Sequence, residues 1–118
     1  TSAELIADVT ALALHRVGHM ESSTAVAGTY HLVAQGETSW HGYAQYVLNV
    51  AKEIGVSLKA GPEEVYPIPT EAYPLPAKRP LNSRLSVSKL TRTFRVRLPD
   101  WRDHVRRVIQ ELTDRSAL

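Results

Sequence analysis

The residues best suited to chemistry lie in one basic stretch, residues 78 to 90, which reads KRPLNSRLSVSKL. The guanidinium groups of Arg79 and Arg84 can each bind a phosphate through two parallel hydrogen bonds. Asn82 and Ser83 lie between them in the sequence and can add neutral hydrogen bonds, while Lys89 adds another positive charge. The stretch suggests a diphosphate site, and a solvated basic loop is the alternative that the residues leave open.

Two further groups of side chains suggest weaker sites. His41 follows Trp40 at the start of a predicted helix, where it could donate a hydrogen bond to an anionic or sugar ligand, or could serve only as a residue near the helix cap. Glu4 and Asp8 are spaced to share one helix face, which could contribute oxygen ligands to a hard metal ion. An ordinary exposed helix face is the simpler explanation of the two carboxylates.

Several classes of site are excluded by composition and spacing. The chain has no cysteine, which rules out disulfides, thiolate zinc sites, Fe–S clusters and cysteine nucleophiles. Its six glycines never have the spacing that lets a backbone approach a dinucleotide pyrophosphate. None of the five tyrosines is followed four residues later by lysine, the pair that short-chain reductases use for proton transfer. A complete reductase site is therefore not predicted in this chain.

Charge is distributed unevenly along the 118 residues. Residues 1 to 77 carry 3 basic and 8 acidic side chains, whereas residues 78 to 118 carry 11 basic and 4 acidic ones. The basic part suggests an anionic partner. Nucleic acid is not favoured as that partner, because aromatic residues are not interleaved with the basic ones.

The sequence gives no indication of a membrane or export signal. No window approaches the roughly 18 apolar residues of a membrane-spanning helix, and the N-terminus lacks the pattern of a signal peptide. We therefore expect a cytoplasmic protein without a membrane partner. The chain also begins without methionine, so we expect it to start partway through a longer protein.

Helical periodicity and capping residues predict four helices. The first covers residues 2 to 17, with Thr1 and Glu4 spaced as a capping box, and the second lies between the cap Ser39 and Gly55. A short third helix, VSKLTRTF, follows Ser86 as its cap. The fourth follows Asp100 and carries an apolar stripe that begins at Trp101.

Two segments between the helices are predicted to be extended. The run between Gly28 and Gly36 has the composition of a strand, and residues 65 to 68 suggest a short edge strand. Six of the seven prolines fall between Pro62 and Pro80, so we expect residues 62–80 to form a proline-stiffened extended segment. These elements predict a small α/β fold of about four helices and two or three short strands, with residues 1–118 as a single domain.

Three long blocks of the sequence resemble one enzyme family. GTYHLVAQGETSWHGYAQYV, IPTEAYPLPAKRPLNSRLSVSKL and LPDWRDHVRRVIQEL are similar to the C-terminal third of bacterial dTDP-4-dehydrorhamnose reductases, in the same order and spacing. The resemblance implies the substrate-binding portion of an extended short-chain dehydrogenase fold, with the Rossmann half and the Tyr/Lys pair absent from this chain. It also implies an enzyme that uses NADPH or NADH to make dTDP-L-rhamnose for lipopolysaccharide and other surface polysaccharides, and a fragment that is inactive alone.

The resemblance also suggests roles for particular residues. Arg79 is the closest counterpart of an arginine that reaches the nucleotide diphosphate in related enzymes, and Arg84 is the second. Asn82, Ser83, Trp40 and His41 complete the predicted contacts with the dTDP-sugar substrate. Some members are dimers that hold a divalent cation such as Mg²⁺ on acidic side chains of terminal helices, for which the candidates are Glu4 and Glu111. The rival interpretation is a non-catalytic regulatory or partner-binding subunit with a reductase-like fold.

Overall fold

The structure is a computed structural model that describes residues 1–21, 23–73, 76–77 and 80–116. The described residues form four α-helices: α1 (Ala3–Gly18), α2 (Trp40–Glu53), α3 (Ser88–Phe94) and α4 (Trp101–Ser116). Single 3₁₀ turns occur at Ser23–Val26, Pro62–Glu64 and Thr70–Ala72. None of the helices in the described ranges is long and apolar enough to cross a membrane.

The chain divides into two compact units, each made of two segments. Unit 1 comprises Thr1–Gly36 and Arg84–Trp101, and unit 2 comprises Glu37–Ser83 and Arg102–Leu118. Unit 1 therefore contains α1 and α3, whereas unit 2 contains α2 and, apart from its first residue, α4. The predicted helices are confirmed in number and order, with boundaries that differ by one or two residues from those expected.

The first helix is capped by a different residue from the one predicted. Ser2 is the N-cap of α1, and its hydroxyl accepts a hydrogen bond from the Leu5 N–H at 3.2 Å. The Thr1 hydroxyl instead accepts a hydrogen bond from the backbone N–H of Ala34 at 3.1 Å. Thr1 thus joins the run from Gly28 to Gly36, which contains Ala34, to the start of α1 instead of capping the helix.

Unit 1 has a well-developed apolar core. In the described residues, α1 packs against α3, and unit 1 provides seven of the nine buried apolar side chains. The aromatic ring of Phe94 packs against the ring of Tyr30 with centroids 5.1 Å apart. Arg95 then ends α3 in a left-handed conformation at φ 45°, which turns the chain toward the final segment of the unit. The buried side chains of unit 1 are Leu5, Val9, Ala34, Leu90, Phe94, Leu98 and Trp101.

The predicted strands are wrong for the described part of the chain, so the α/β description is replaced by helices joined by extended segments. The run from Gly28 to Gly36 pairs at one place, a parallel bridge between Gln35 and Asp100. The Gln35 N–H donates to the Pro99 carbonyl at 2.8 Å, and the Trp101 N–H donates to the Gln35 carbonyl at 2.9 Å. β-Branched and aromatic residues favour extended backbone, but a strand also needs a continuous hydrogen-bonded neighbour.

In unit 2, α2 packs against the Pro62–Glu64 turn and is joined to α4 by polar contacts. The Tyr46 hydroxyl donates to the Arg102 carbonyl at 3.2 Å, and Arg106 pairs with Glu53 at 2.7 Å. The hydrogen bond to Glu53, followed by one to Tyr46, raises the pKa of the Arg106 guanidinium above its ordinary value. Because the folded-state pKa is raised, this contribution to folding is present at neutral pH and is lost only in strong alkali.

Candidate functional site

Trp40 is an exposed aromatic side chain at the first position of α2. The Ser39 hydroxyl caps this helix by accepting the Gly42 N–H at 3.1 Å. The Trp40 side chain is 80% exposed, and its ring meets the Tyr43 ring edge-on, with centroids 6.2 Å apart and an interplanar angle of 80°. Trp40 therefore does not contribute to the buried part of α2, whose buried residues, Val50 and Ala51, lie near the other end of the helix.

His41 is half-buried and bonds to the protein backbone. Its Nε2 atom lies 3.0 Å from the carbonyl oxygen of Val65. A carbonyl can only accept, so this nitrogen donates, and a neutral His41 ring keeps only an acceptor at Nδ1. His41 is therefore a positioning residue that fixes the start of α2 to the segment at Val65. Sequence spacing gave no signal of this role, since the two residues are 24 positions apart.

The basic stretch is only partly covered by the described residues. Arg79, the first predicted ligand of a diphosphate, lies outside them together with Lys78. Asn82 and Ser83 are exposed and belong to unit 2, whereas Arg84 is exposed and belongs to unit 1. The assignment of these residues to a substrate site stays a prediction.

Lys89 forms a structural contact within unit 1 instead of a free cationic group. Its Nζ atom donates to the Thr29 carbonyl at 3.0 Å and lies 4.3 Å from the centroid of the Tyr30 ring. Gly28 has a φ of 133°, and a Cβ atom at this position would lie 3.0 Å from the same ammonium group. The run from Gly28 to Tyr30 therefore packs closely around the Lys89 ammonium, so Lys89 is a poor candidate for binding a phosphate.

The two candidate metal ligands belong to different units. Glu4 lies in the first turn of α1 in unit 1 and Glu111 in α4 of unit 2. The Glu111 carboxylate accepts a hydrogen bond from Arg107 Nε at 2.9 Å. No group of three or more histidine, aspartate or glutamate side chains is suitably placed for a metal within the ranges that the structure describes. The assignment of Glu4 and Glu111 to a cation site stays a prediction.

Two exposed tyrosines were missed by the sequence interpretation. Tyr66 and Tyr73 lie in the proline-rich segment of unit 2, and their side chains are 76% and 64% exposed. The sequence VYPIPTEAYP, which places each tyrosine directly before a proline, is the feature that could have indicated their exposure. Proline favours an extended backbone, which presents side chains along a surface.

Two shallow hollows in the described part of the chain do not involve the predicted ligands. One, of about 310 Å³, lies in unit 2 and is bordered by Lys52, Lys59 and Glu63 among other residues. Another, of about 400 Å³, lies at the end of α1 beside His15 and His19. The first hollow is bordered by side chains of both charges, with Lys52 and Glu63 4.0 Å apart. Neither hollow contains a predicted ligand, so Trp40 and the basic stretch remain the candidate site.

Comparison with known proteins gives a consistent result along the chain. The model of the RmlD substrate binding domain matches residues 1–114. The dTDP-4-dehydrorhamnose reductase of Shigella flexneri is 43% identical over 118 residues, which are all of this chain and 38% of that protein. The enzyme of the same name from Escherichia coli K12 is 42% identical over the same length, and that of Salmonella typhimurium is 45% identical over 112 residues. The chain thus spans 36–38% of the length of these relatives.

Proposed function

Because the chain belongs to the RmlD substrate binding domain family, we propose that it forms the substrate-binding part of a dTDP-4-dehydrorhamnose reductase. The observation that carries this proposal is the similarity to reductases of that name over the full 118 residues, at 43% identity. The matched region includes the basic stretch and Trp40, so the predicted substrate contacts lie within the part of the chain that is similar to these reductases.

The proposed reaction is the reduction of the 4-keto group of dTDP-4-dehydro-L-rhamnose to give dTDP-L-rhamnose. NADPH or NADH supplies a hydride to the carbonyl carbon, and the carbonyl oxygen takes up a proton. The product is a precursor for lipopolysaccharide and related surface polysaccharides, which are assembled from cytoplasmic nucleotide sugars. In this proposal the Rossmann portion of the enzyme holds the cofactor and the Tyr/Lys pair, and this chain holds the substrate.

The basic stretch would bind the diphosphate of the sugar nucleotide. Arg79 and Arg84 would each present two parallel N–H groups to phosphate oxygens, while Asn82 and Ser83 would add neutral hydrogen bonds. Asn82, Ser83 and Arg84 are exposed, so a ligand in solvent can reach this part of the stretch. Binding energy gathered at the diphosphate would orient the distant keto group for hydride transfer.

The test is a comparison of arginine variants in the full-length protein that contains this chain. Arg79→Ala and Arg84→Ala should each weaken binding of dTDP-L-rhamnose by about tenfold or more, since a charge-assisted hydrogen bond contributes roughly 1.5–3 kcal/mol. Arg16→Ala, which removes an exposed arginine from α1, is the matched control and should leave the Kd unchanged. Isothermal titration calorimetry supplies the Kd, and unchanged affinity in both test variants would overturn the diphosphate assignment.

The same protein separates the reductase from its rival, a regulatory subunit. A reductase consumes NADPH or NADH in the presence of dTDP-4-dehydro-L-rhamnose and forms dTDP-L-rhamnose, which chromatography detects. A protein that neither turns over this substrate nor binds its product would contradict the proposed function. A homodimer remains a separate prediction, which light scattering on the full-length protein can check.

A further inference from the structure

The exposed tryptophan at the start of α2 needs a partner that the described residues do not provide. Of the two tryptophans in the chain, Trp101 is buried and Trp40 is 80% exposed. Exposing a large indole ring to water is unfavourable, and tryptophan is enriched where a protein binds another molecule. The exposure of Trp40 therefore points to a ligand or partner that covers its ring.

We propose that Trp40 stacks against the pyrimidine base of the nucleoside diphosphate sugar, with Tyr43 holding the indole in place. This inference rests on the proposed function, which supplies a ligand that contains a planar base. It assigns the base to the indole, as a subsite separate from the one proposed for the diphosphate.

The geometry of the aromatic pair suits such a platform. The edge-on contact at 6.2 Å and 80° uses the edge of one ring against the face of the other, an arrangement that aromatic pairs favour. It restrains the orientation of the indole, so less conformational entropy is lost when a base binds. The high exposure of Trp40 leaves indole surface free for a flat ligand.

The segment that follows Val65 is fixed to the same end of α2. The bond from His41 Nε2 to the Val65 carbonyl joins this segment to the helix one residue after Trp40. Tyr66, the next residue, is also highly exposed, so the fixed segment presents a second aromatic side chain within unit 2.

A stacking role predicts a specific pattern of binding in the full-length protein. Trp40→Ala should raise the Kd for dTDP by about 5- to 150-fold, the range expected when an aromatic platform for a base is removed. Trp40→Phe keeps a flat ring and should bind dTDP within a few-fold of the original protein. Inorganic pyrophosphate has no base, so its Kd should be the same in all three proteins. Leu112→Ala, which trims an exposed apolar side chain of α4, is the control for a general loss of surface area.

Tryptophan fluorescence gives a second and independent readout. Stacking of a base on the indole should quench emission when dTDP is added, and this component should disappear in Trp40→Phe even though binding persists. The readout also covers the case in which Trp40→Ala fails to fold, which far-ultraviolet circular dichroism would reveal. In that case Trp40→Phe alone tests the stacking role: it should bind dTDP but lose the quenched component, and quenching that persists in this variant would contradict stacking on Trp40.

The outcomes distinguish this inference from the function on which it rests. If the original protein binds dTDP but Trp40→Ala binds it equally well, the stacking role is overturned and the proposed function stands. If the protein binds neither dTDP nor dTDP-L-rhamnose, both proposals fail. If light scattering shows a dimer that Trp40→Ala converts to a monomer with unchanged dTDP affinity, the indole contacts a second copy and the base-stacking role is again overturned.

Discussion

The two units of this chain use their aromatic residues in opposite ways. In unit 1, Phe94 and Trp101 are buried, and Tyr30 is half-buried between the ring of Phe94 and the ammonium of Lys89. In unit 2, four aromatic side chains are exposed: Trp40, Tyr43, Tyr66 and Tyr73. The same residue types therefore stabilise one unit from within and form the surface of the other.

The difference indicates a division of roles within the chain. The buried side chains of unit 1 contribute to stability through packing, whereas exposed aromatic side chains contribute little to folding. In unit 2, the hydrogen bond between His41 and the Val65 carbonyl joins the proline-rich segment to α2. We therefore expect substitutions in unit 1 to affect stability first, and substitutions at the aromatic surface of unit 2 to affect binding first.

The largest expected effect comes from removing an aromatic ring from each unit in turn. Phe94 is 5% exposed, so Phe94→Ala should lower the free energy of unfolding by about 3–5 kcal/mol through lost burial and the cavity that remains. Tyr73→Ala removes a ring that is largely exposed and should change the free energy of unfolding by less than about 0.5 kcal/mol. Urea denaturation followed by circular dichroism measures both values.

Similar losses of stability in the two variants would contradict the proposed difference between the two units. They would mean that Tyr73 is covered in solution and that the aromatic surface of unit 2 contributes to folding after all. The slope of the unfolding curve is the internal check, because an unchanged slope shows that the denatured and native states expose the same surface as before.

Two glycines with almost the same backbone angle extend the comparison to packing density. Gly36 in unit 1 has φ 86° and Gly55 in unit 2 has φ 84°, a region in which side chains are strained. A Cβ atom on Gly36 would lie 2.7 Å from Asp100 Oδ2 and 2.9 Å from Trp101 Cδ1, whereas one on Gly55 would meet nothing within 4 Å. Gly55→Ala should therefore cost about 1 kcal/mol of stability, and Gly36→Ala about 2–4 kcal/mol.

This pair is its own control, because the backbone strain is common to both substitutions. The difference in unfolding free energy between the variants measures the crowding at Gly36 alone. Equal values would show that the contact with Asp100 and Trp101 relaxes freely, and that unit 1 is no more tightly packed there than unit 2.

Sequence periodicity was sufficient to predict the helices but not the extended segments between them. The apolar spacing around Val9 and Val50 and the cap at Ser39 are local signals, and the structure confirms the helices that they predict. The run from Gly28 to Gly36 has a strand-like composition, yet its pairing depends on residues near Asp100, far away in the sequence. A local pattern determines backbone preference, while a strand requires a partner that the pattern does not specify.

The candidate site was predictable in its residue types but not in its contacts. The sequence singled out Trp40 and His41 together, and the structure separates their roles by exposing one and bonding the other to Val65. It also grouped Lys89 with the arginines as a cation, although its ammonium is held by a carbonyl 60 positions away. These contacts join segments that are distant along the chain, so no spacing rule could reveal them.

The smallest expected effect tests whether Lys89 belongs to the scaffold of unit 1 or to a ligand site. Lys89→Met keeps the length and apolar stem of the side chain but removes the hydrogen bond to Thr29 and the contact of the charge with the Tyr30 ring. Because the side chain is exposed, the loss should be only about 1 kcal/mol in unfolding free energy. Lys89→Arg, which keeps the charge and a donor, should recover part of it. The Kd for dTDP-L-rhamnose should stay the same in both variants. A raised Kd with unchanged stability would instead place Lys89 among the residues that bind the diphosphate.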